Sequence, residues 1–402
     1  MGSILSLSLL TVMAGAAVAP ALGVIKDAFP NASQLQIQLI ISMPALFIFL
    51  TNLFFSRLSA RFGSKTLVLA GLTLYVVGGV AAGLFSNIAL LLCMRALVGV
   101  GVGILMPLST GLLAYYYPPE MQSKLSGYSS AMNQIGGVIA TLLAGVLANV
   151  SWRASFLVYL MGLLSFFLCL FFLPNVRIGS ENSTQKDTAE KGGFTANLKL
   201  YYKYVLAMFL LMSCFFLYPA NYALETAQFD GMIPQNLVAP IMAFADVVAA
   251  LGGFLFFRIM KTLGKQTRVV PPLLFLAGFL SLYFGGWAGT LLGSALVGFA
   301  NGAGVPFIIS QGSMKAGKTA AVTVMPLISA AMYLSQFASP FLLSLTDPLL
   351  GGLRHPAWLF GMVLSVLLLG VTTSIHVRLP EKKETPVKQR KTDTQVLAGD
   401  SI

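Results

Sequence analysis

The sequence predicts an all-α integral membrane protein of twelve transmembrane helices, arranged as two six-helix bundles in a 6+6 pseudo-repeat. Three observations predict it. Of 402 residues, 57% are hydrophobic and 9% are charged, too few polar side chains to cover a water-soluble core of this size. Apolar runs of about 18 to 25 residues recur along the chain, each long enough to cross ~30 Å of hydrocarbon at 1.5 Å per residue. The second half of the chain then repeats landmarks of the first.

Span 1 covers residues 4–25 and contains Pro20; span 2 covers 36–55 and runs into the basic stretch "FSRLSARFGSKT". Spans 3 (67–85) and 4 (89–112) follow, the latter carrying Arg95 and "ALVGVGVGILMP". Span 5 (126–148) has a polar stripe, and span 6 (154–174) closes the first bundle, residues 1–174. Residues 175–198 include "RIGSENSTQKDTAEKGG", polar and rich in Ser, Thr and charge, the composition of a linker. The second bundle, residues 199–378, holds span 7 (200–222, with Pro219), span 8 (236–257, with Asp246) and spans 9 (269–287), 10 (289–311), 11 (320–345) and 12 (356–377). Residues 379–402 read as a basic disordered tail. Gly and Pro inside these runs are tolerated in membrane helices, where neighbours re-satisfy the freed backbone groups.

The repeat is legible residue by residue. "ALVGVGVGILMP" (Ala96 to Pro107) matches "ALVGFANGAGVP" (Ala295 to Pro306) at an offset of 199, and at that offset Pro20 falls on Pro219, each followed by Ala. "FSRLSARFGSKT" and "FRIMKTLGKQT" match more loosely, at an offset of 201.

The formal charge of +12 is not a nucleic-acid footprint, because Arg57, Arg61, Lys65, Lys124, Lys186, Arg258, Lys261 and Lys318 all follow even-numbered spans. The opposite side carries chiefly Lys26, Arg153 and Arg354. By the positive-inside rule both termini are cytoplasmic. Three cysteines, Cys93, Cys169 and Cys214, fall inside spans and say nothing of redox compartment. "MGSILS" fits an acylation pattern and Ala17–Ala19 mimics a signal-peptidase site. Against both stands the absence of a basic leading segment, and the repeat partner of Pro20 assigns span 1 to the mature fold.

"GSMKAGKT" (Gly312 to Thr319) fits the spacing of a phosphate-binding loop, which works only between a strand and a helix. Here it joins spans 10 and 11, and its repeat partner "AYYYPPEMQSK" has no trace of the motif. No nucleotide is expected to bind. "GVGVG" (Gly99 to Gly103) lies inside span 4 without a βαβ setting and reads as close helix packing.

A 6+6 parallel repeat with these landmarks resembles the major facilitator transporters. "RLSARFGSKT" is similar to that family's loop motif after span 2, with Arg57, Arg61, Gly63 and Lys65 as a conformational gate loop. Ser56 and Ala60 stand where the family has Gly and Asp, which implies an altered charge latch between the halves. "LLCMRALVGVGVG" resembles the span-4 motif, and Arg95 takes the place of the arginine that the family links to proton coupling. Span 5, "GGVIATLLAGVLA", is a faded copy of the antiporter motif, and "SWRASFLVYL" resembles the usual opening of span 6. Span 1 lacks the acid common in exporters of cationic drugs.

A charge at mid-bilayer costs about 3 kcal/mol or more, so buried charges are functional suspects. Asp246 is near the middle of span 8, read either as a proton acceptor or as a structural Asp paired across a helix interface. Arg95 is read as a fixed charge that tunes an acid or binds an anion, or as a structural Arg. Tyr218, Asn221, Tyr222 and Glu225 share one face of span 7, as candidate substrate contacts or, for Glu225, as a helix end emerging into water. Asn133 and Gln134 in the span-5 stripe, which also holds Ser126, Ser130 and Thr141, are candidate contacts or helix-helix glue. Asn301, Tyr333 and Gln336 complete the candidates.

The expectation is a secondary active transporter for a small organic solute, proton-coupled, exposing one central site alternately to each side of the cell membrane. The alternatives are a uniporter or uptake symporter for an organic anion, and a transport-dead sensor or scaffold. The expected partners are a small-molecule substrate, protons and membrane lipid, without nucleic acid, nucleotide, metal or cofactor, and with the chain acting as a monomer. No enzyme activity is expected.

Overall fold

The computed structural model describes residues 2–117, 119–176, 194–227, 233–316, 320–350 and 352–378. The expected linker core and basic tail lie outside these residues. Every regular element among them is helical. The long helices are α1 (Gly2–Ala16), followed after a break by the short α2 (Leu22–Ala28), then α3 (Gln34–Arg61), α4 (Ser64–Ala82), α5 (Ile88–Tyr116) and α6 (Pro119–Ala148). A short α7 (Trp152–Ser155) leads through a tight turn into α8 (Met161–Phe172). The second half holds α9 (Phe194–Glu225), α10 (Gln235–Leu263), α11 (Val270–Phe284), α12 (Gly286–Ala316), α13 (Ala320–Ser344), the single turn α14 (Asp347–Leu350) and α15 (Pro356–Thr373).

Among the described residues nine helical stretches are long and apolar enough to cross a bilayer, or ten if Gly2–Thr11 and Met13–Ala28, bent by 42°, form one span. One of the nine, Gln235–Phe284, contains both α10 and α11. Large apolar side chains such as Phe54, Phe171, Phe254 and Leu367 are exposed on the outside, where only lipid solvates them well. The chain is a multi-pass membrane protein.

The expected span 1 is broken, not continuous. Residues 17–21 leave the α-helix at Pro20, which lacks an N–H and so ends the regular ladder. The ends elsewhere follow local chemistry. Ser33 and Gln36 form a capping box at the start of α3, and Asn87 caps α5, satisfying N–H groups that a helix start leaves free. Gly285 and Gly286, at φ 68° and 72°, make the reversal between α11 and α12, a conformation that side chains disfavour.

The two halves pair their helices in the same pattern. α3 and α4 pack on α5 as α10 and α11 pack on α12, α1 packs on α6 as α9 packs on α13, and α4 packs on α8 as α11 packs on α15. The repeated glycines are the physical reason. A Cβ on Gly99 would strike the Pro44 carbonyl of α3, and one on Gly298, its partner at the 199 offset, would strike the Ala245 carbonyl of α10. Backbones approach closely there because no side chain separates them. The halves meet along α3 with α13 and along α6 with α10.

Candidate functional site

Polar groups cluster where these seams cross mid-helix. Thr11 of α1 donates to Oδ1 of Asn133 on α6 at 2.7 Å. Four residues further along α1, Gly15 faces Gln336 of α13, whose Nε2 would lie 3.1 Å from an added Cβ. Tyr333, one turn before Gln336, donates its hydroxyl to the Met106 sulfur of α5. Thr11, Asn133, Gln336 and Met106 are only half-buried, although all sit among helices of both halves. Asn301 of α12 is also half-buried, and its Oδ1 has no hydrogen-bond partner among the described residues. The central helices thus present amides, hydroxyls and a thioether here. Gln134 lies beside Asn133 on α6, with its side chain outside the described residues, as are those of Ser126 and Ser130.

Asp246 belongs to the seam. Thr141 of α6 donates to its Oδ2 at 3.5 Å, a weak bond at the limit of hydrogen-bonding distance. The carboxylate therefore spans the contact between α6 and α10, which joins the two halves. Its chain neighbour Ala245 supplies the carbonyl on which Gly298 seats, so the backbone that carries Asp246 is held close to α12.

Arg95 is fully buried, and its guanidinium is engaged on three sides. Nε donates to the Ile40 carbonyl of α3 at 2.6 Å, Nη2 to the Ala14 carbonyl of α1, and Nη1 to the Tyr159 hydroxyl, which itself donates to Ala14 at 3.0 Å. The acceptors are not arbitrary. Ile40 precedes Pro44 by four residues, and Pro44 has no N–H to give it. Ala14 lies in the last turn of α1, where carbonyls lose their intrahelical donors. Arg95 satisfies backbone oxygens that a proline inside α3 and the break after α1 leave orphaned in a lipid-embedded bundle, and the hydrogen bonds of its guanidinium do not include Asp246.

The span-7 stripe is brought together but faces inward in two directions. Tyr218 donates to Ser294 of α12 at 2.8 Å and packs on Tyr222 and on Trp358 of α15. Asn221 turns to the other half, where its Oδ1 accepts from Gln38 of α3. Glu225 does not emerge into water: it is 3% exposed, and its Oε2 lies 2.7 Å from Nδ1 of His355. Arg354 donates from Nε to the other ring nitrogen of His355 at 3.1 Å, so the neutral imidazole accepts there and donates to Glu225. His355, Gln38, Tyr159, Thr11 and Met106 escaped sequence reasoning.

Among the described residues, the gate-loop contacts lie within their own half. Gly63 starts α4 against Asn175, which leaves no room for a Cβ, and Asn175 accepts from the Lys65 amide at 3.3 Å. Arg57 lies 5.9 Å from the centroid of the Phe54 ring, and Arg61 is exposed at the end of α3. In the phosphate-loop-like stretch, Gly312–Ala316 is the last turn of α12, and Lys315 donates to the Leu200 carbonyl at 2.7 Å. No strand precedes it among the described residues; Lys318 and Thr319 lie outside them. No cluster of metal-ligating side chains is found among the described residues.

Comparison with known proteins places this geometry in a family. The quinolone resistance protein NorA of Staphylococcus aureus is 25% identical over 224 residues, 55% of this chain and 57% of NorA. The riboflavin transporter RibZ of Clostridioides difficile (strain 630) is 26% identical over 151 residues, 37% of this chain and 33% of RibZ. The matched stretches thus span about a third to just over half of these relatives' lengths. A crystal structure of a bacterial homolog of the human lysosomal transporter Spinster, inward-facing and unoccupied, superposes with a TM-score of 0.72 at 15% identity, over 93% of this chain and 94% of that one. The sequence profile of the Major Facilitator Superfamily matches residues 4–340, and the chain belongs to that superfamily.

Proposed function

We propose that the chain is a proton-coupled secondary transporter of the cell membrane that moves a small organic solute by alternating access. Its twelve spans are α1 with α2, α3, α4, α5, α6, α7 with α8, α9 to α13, and α15, in bundles 1–174 and 199–378. The basic residues put the face where the chain begins and ends in the cytoplasm. The observation that carries this reading is the seam: identical pairing within each half, contact between halves along α3 with α13 and α6 with α10, and half-buried polar groups at the crossing. Two similar rigid halves with a polar centre can rock about that centre, which alternating access requires.

Asn133, Gln134, Asn301, Tyr333 and Gln336 are the solute contacts in this proposal. Asp246 carries the proton. A carboxylate on the moving seam is desolvated when the seam closes and hydrated when it opens, so protonation favours the closed arrangement and couples proton to solute. Arg95 serves as a positioning residue that holds the α1 break and the backbone of α3 before Pro44. An organic-anion site on Arg95 is disfavoured, because the side chain is fully buried and each of its three nitrogens already donates to Ile40, Tyr159 or Ala14.

Purified chain in detergent, melted against a panel of neutral, anionic and cationic solutes, tests the reading, since a ligand of the folded state raises its melting temperature. A stabilising solute should then accumulate in vesicles under a proton gradient without nucleotide. Accumulation that requires ATP, or no response to the gradient, would contradict the proposal.

A further inference from the structure

Asn221 and Gln38 are amides from different halves that meet where no water reaches. They are 1% and 2% exposed, and Gln38 Nε2 donates to Asn221 Oδ1. Asn221 Nδ2 donates to the Leu217 carbonyl one turn earlier, at 2.9 Å, which fixes its orientation and aims Oδ1 at Gln38. The pair sits at the start of α3 and near the end of α9, on the face that carries the α2–α3 loop. Around it the same ends converge. An added Cβ on Gly23 would lie 3.1 Å from the Ala223 carbonyl, and Gln235 at the start of α10 reaches the Pro20 carbonyl at 3.5 Å. Ala17, Ala19 and Ala21 are completely buried there.

We propose that Gln38 and Asn221 form a latch that holds the solute pathway shut at this face. The proposal rests on the alternating-access reading and adds the residues that set its closed state. Residue chemistry explains the choice. Leucines at both positions would seal the contact and resist hydration, so the pathway would close and stay closed. An ion pair would be costly to dry on each closure. Neutral amides bond to each other when the face is closed and to water when it opens, so the two arrangements stay close in free energy. Deleting one partner alone orphans the other in the closed state, which shifts the balance toward opening by about tenfold or more.

Ser42 supplies the reporter. It lies one turn further along α3 from Gln38, is 2% exposed, and its hydroxyl has no partner among the described residues. Full-length Ser42→Cys protein in a Cys93→Ser background would be labelled in liposomes with a membrane-impermeant maleimide from the face that carries the α2–α3 loop. Asn221→Ala should raise the labelling rate about tenfold, and the double variant Gln38→Leu with Asn221→Leu should lower it below the parent and arrest solute counterflow. If Asn221→Ala does not fold, Gln38→Asn gives the same comparison, since it keeps an amide but withdraws it by one methylene. Labelling within twofold of the parent in every folded variant overturns the latch. The two readings separate in one data set. Labelling that responds while no solute moves in the parent protein means that the latch stands and the transport reading fails; solute movement with unresponsive labelling means the reverse.

Discussion

Arg95→Lys is a substitution that preserves charge and should still disable the protein. The guanidinium makes hydrogen bonds from three different nitrogens to acceptors on α1, α3 and the stretch that follows α7. An ammonium is a single point on a flexible stem and cannot reproduce that planar fork. A lysine that reaches only one of the three acceptors abandons two. Bonds from a charged donor contribute about 1.5 to 3 kcal/mol each, so the loss is about 3 to 6 kcal/mol, a large part of the 5 to 15 kcal/mol that typically separates folded from unfolded chains. The assay is melting temperature in detergent for Arg95→Lys, Arg95→Ala and Tyr159→Phe. The lysine variant should fall by about two thirds as much as the alanine variant, and Tyr159→Phe, which removes one acceptor and its own bond to Ala14 but leaves both Arg95–carbonyl bonds, should fall less than alanine. A lysine variant that melts with the parent protein would show that the orphaned carbonyls at Ile40 and Ala14 do not need the fork.

Two further substitutions probe the packing. His355→Ala removes the Nδ1 donor from the buried Glu225 carboxylate and should cost about 1.5 to 3 kcal/mol, whereas Glu225→Gln, which removes the buried charge and keeps the histidine, should cost less; thermal melts at neutral pH rank them. Gly302→Val would drive its Cβ into the Ala249 backbone and should part α10 from α12, with loss of monodisperse protein in size-exclusion chromatography. Gly253→Ala is the control: its new Cβ would meet Gly302 at an ordinary 3.5 Å, and the variant should elute as the parent does.

The all-helical membrane class and the repeated landmarks were legible because hydrocarbon thickness imposes a length and the duplicated glycines impose a spacing. The interruption of span 1 was less so, since Pro20 is tolerated in many membrane helices and only the packed neighbours decide whether it breaks one. Reading Glu225 as a helix end in water overlooked His355, 130 residues away. A signal existed: a histidine beside Arg354, opening span 12 at the depth where span 7 ends. For Arg95 the family motif points to proton coupling, but the proline four residues after Ile40 already announces an unsatisfied carbonyl. The seam contacts of Asp246 with Thr141 and of Asn221 with Gln38 had no sequence signature, because they join halves whose relative placement no local pattern encodes.

The central claim places proton coupling on the seam at Asp246. Purified parent protein and Asp246→Asn, reconstituted in liposomes, should be compared for solute accumulation under an imposed proton gradient and for downhill counterflow of the same solute. Asparagine keeps the size and hydrogen-bonding capacity of the side chain but cannot titrate. The account predicts that the variant loses accumulation, keeps counterflow and melts near the parent temperature. A folded Asp246→Asn protein that still concentrates solute to the parent level would contradict it.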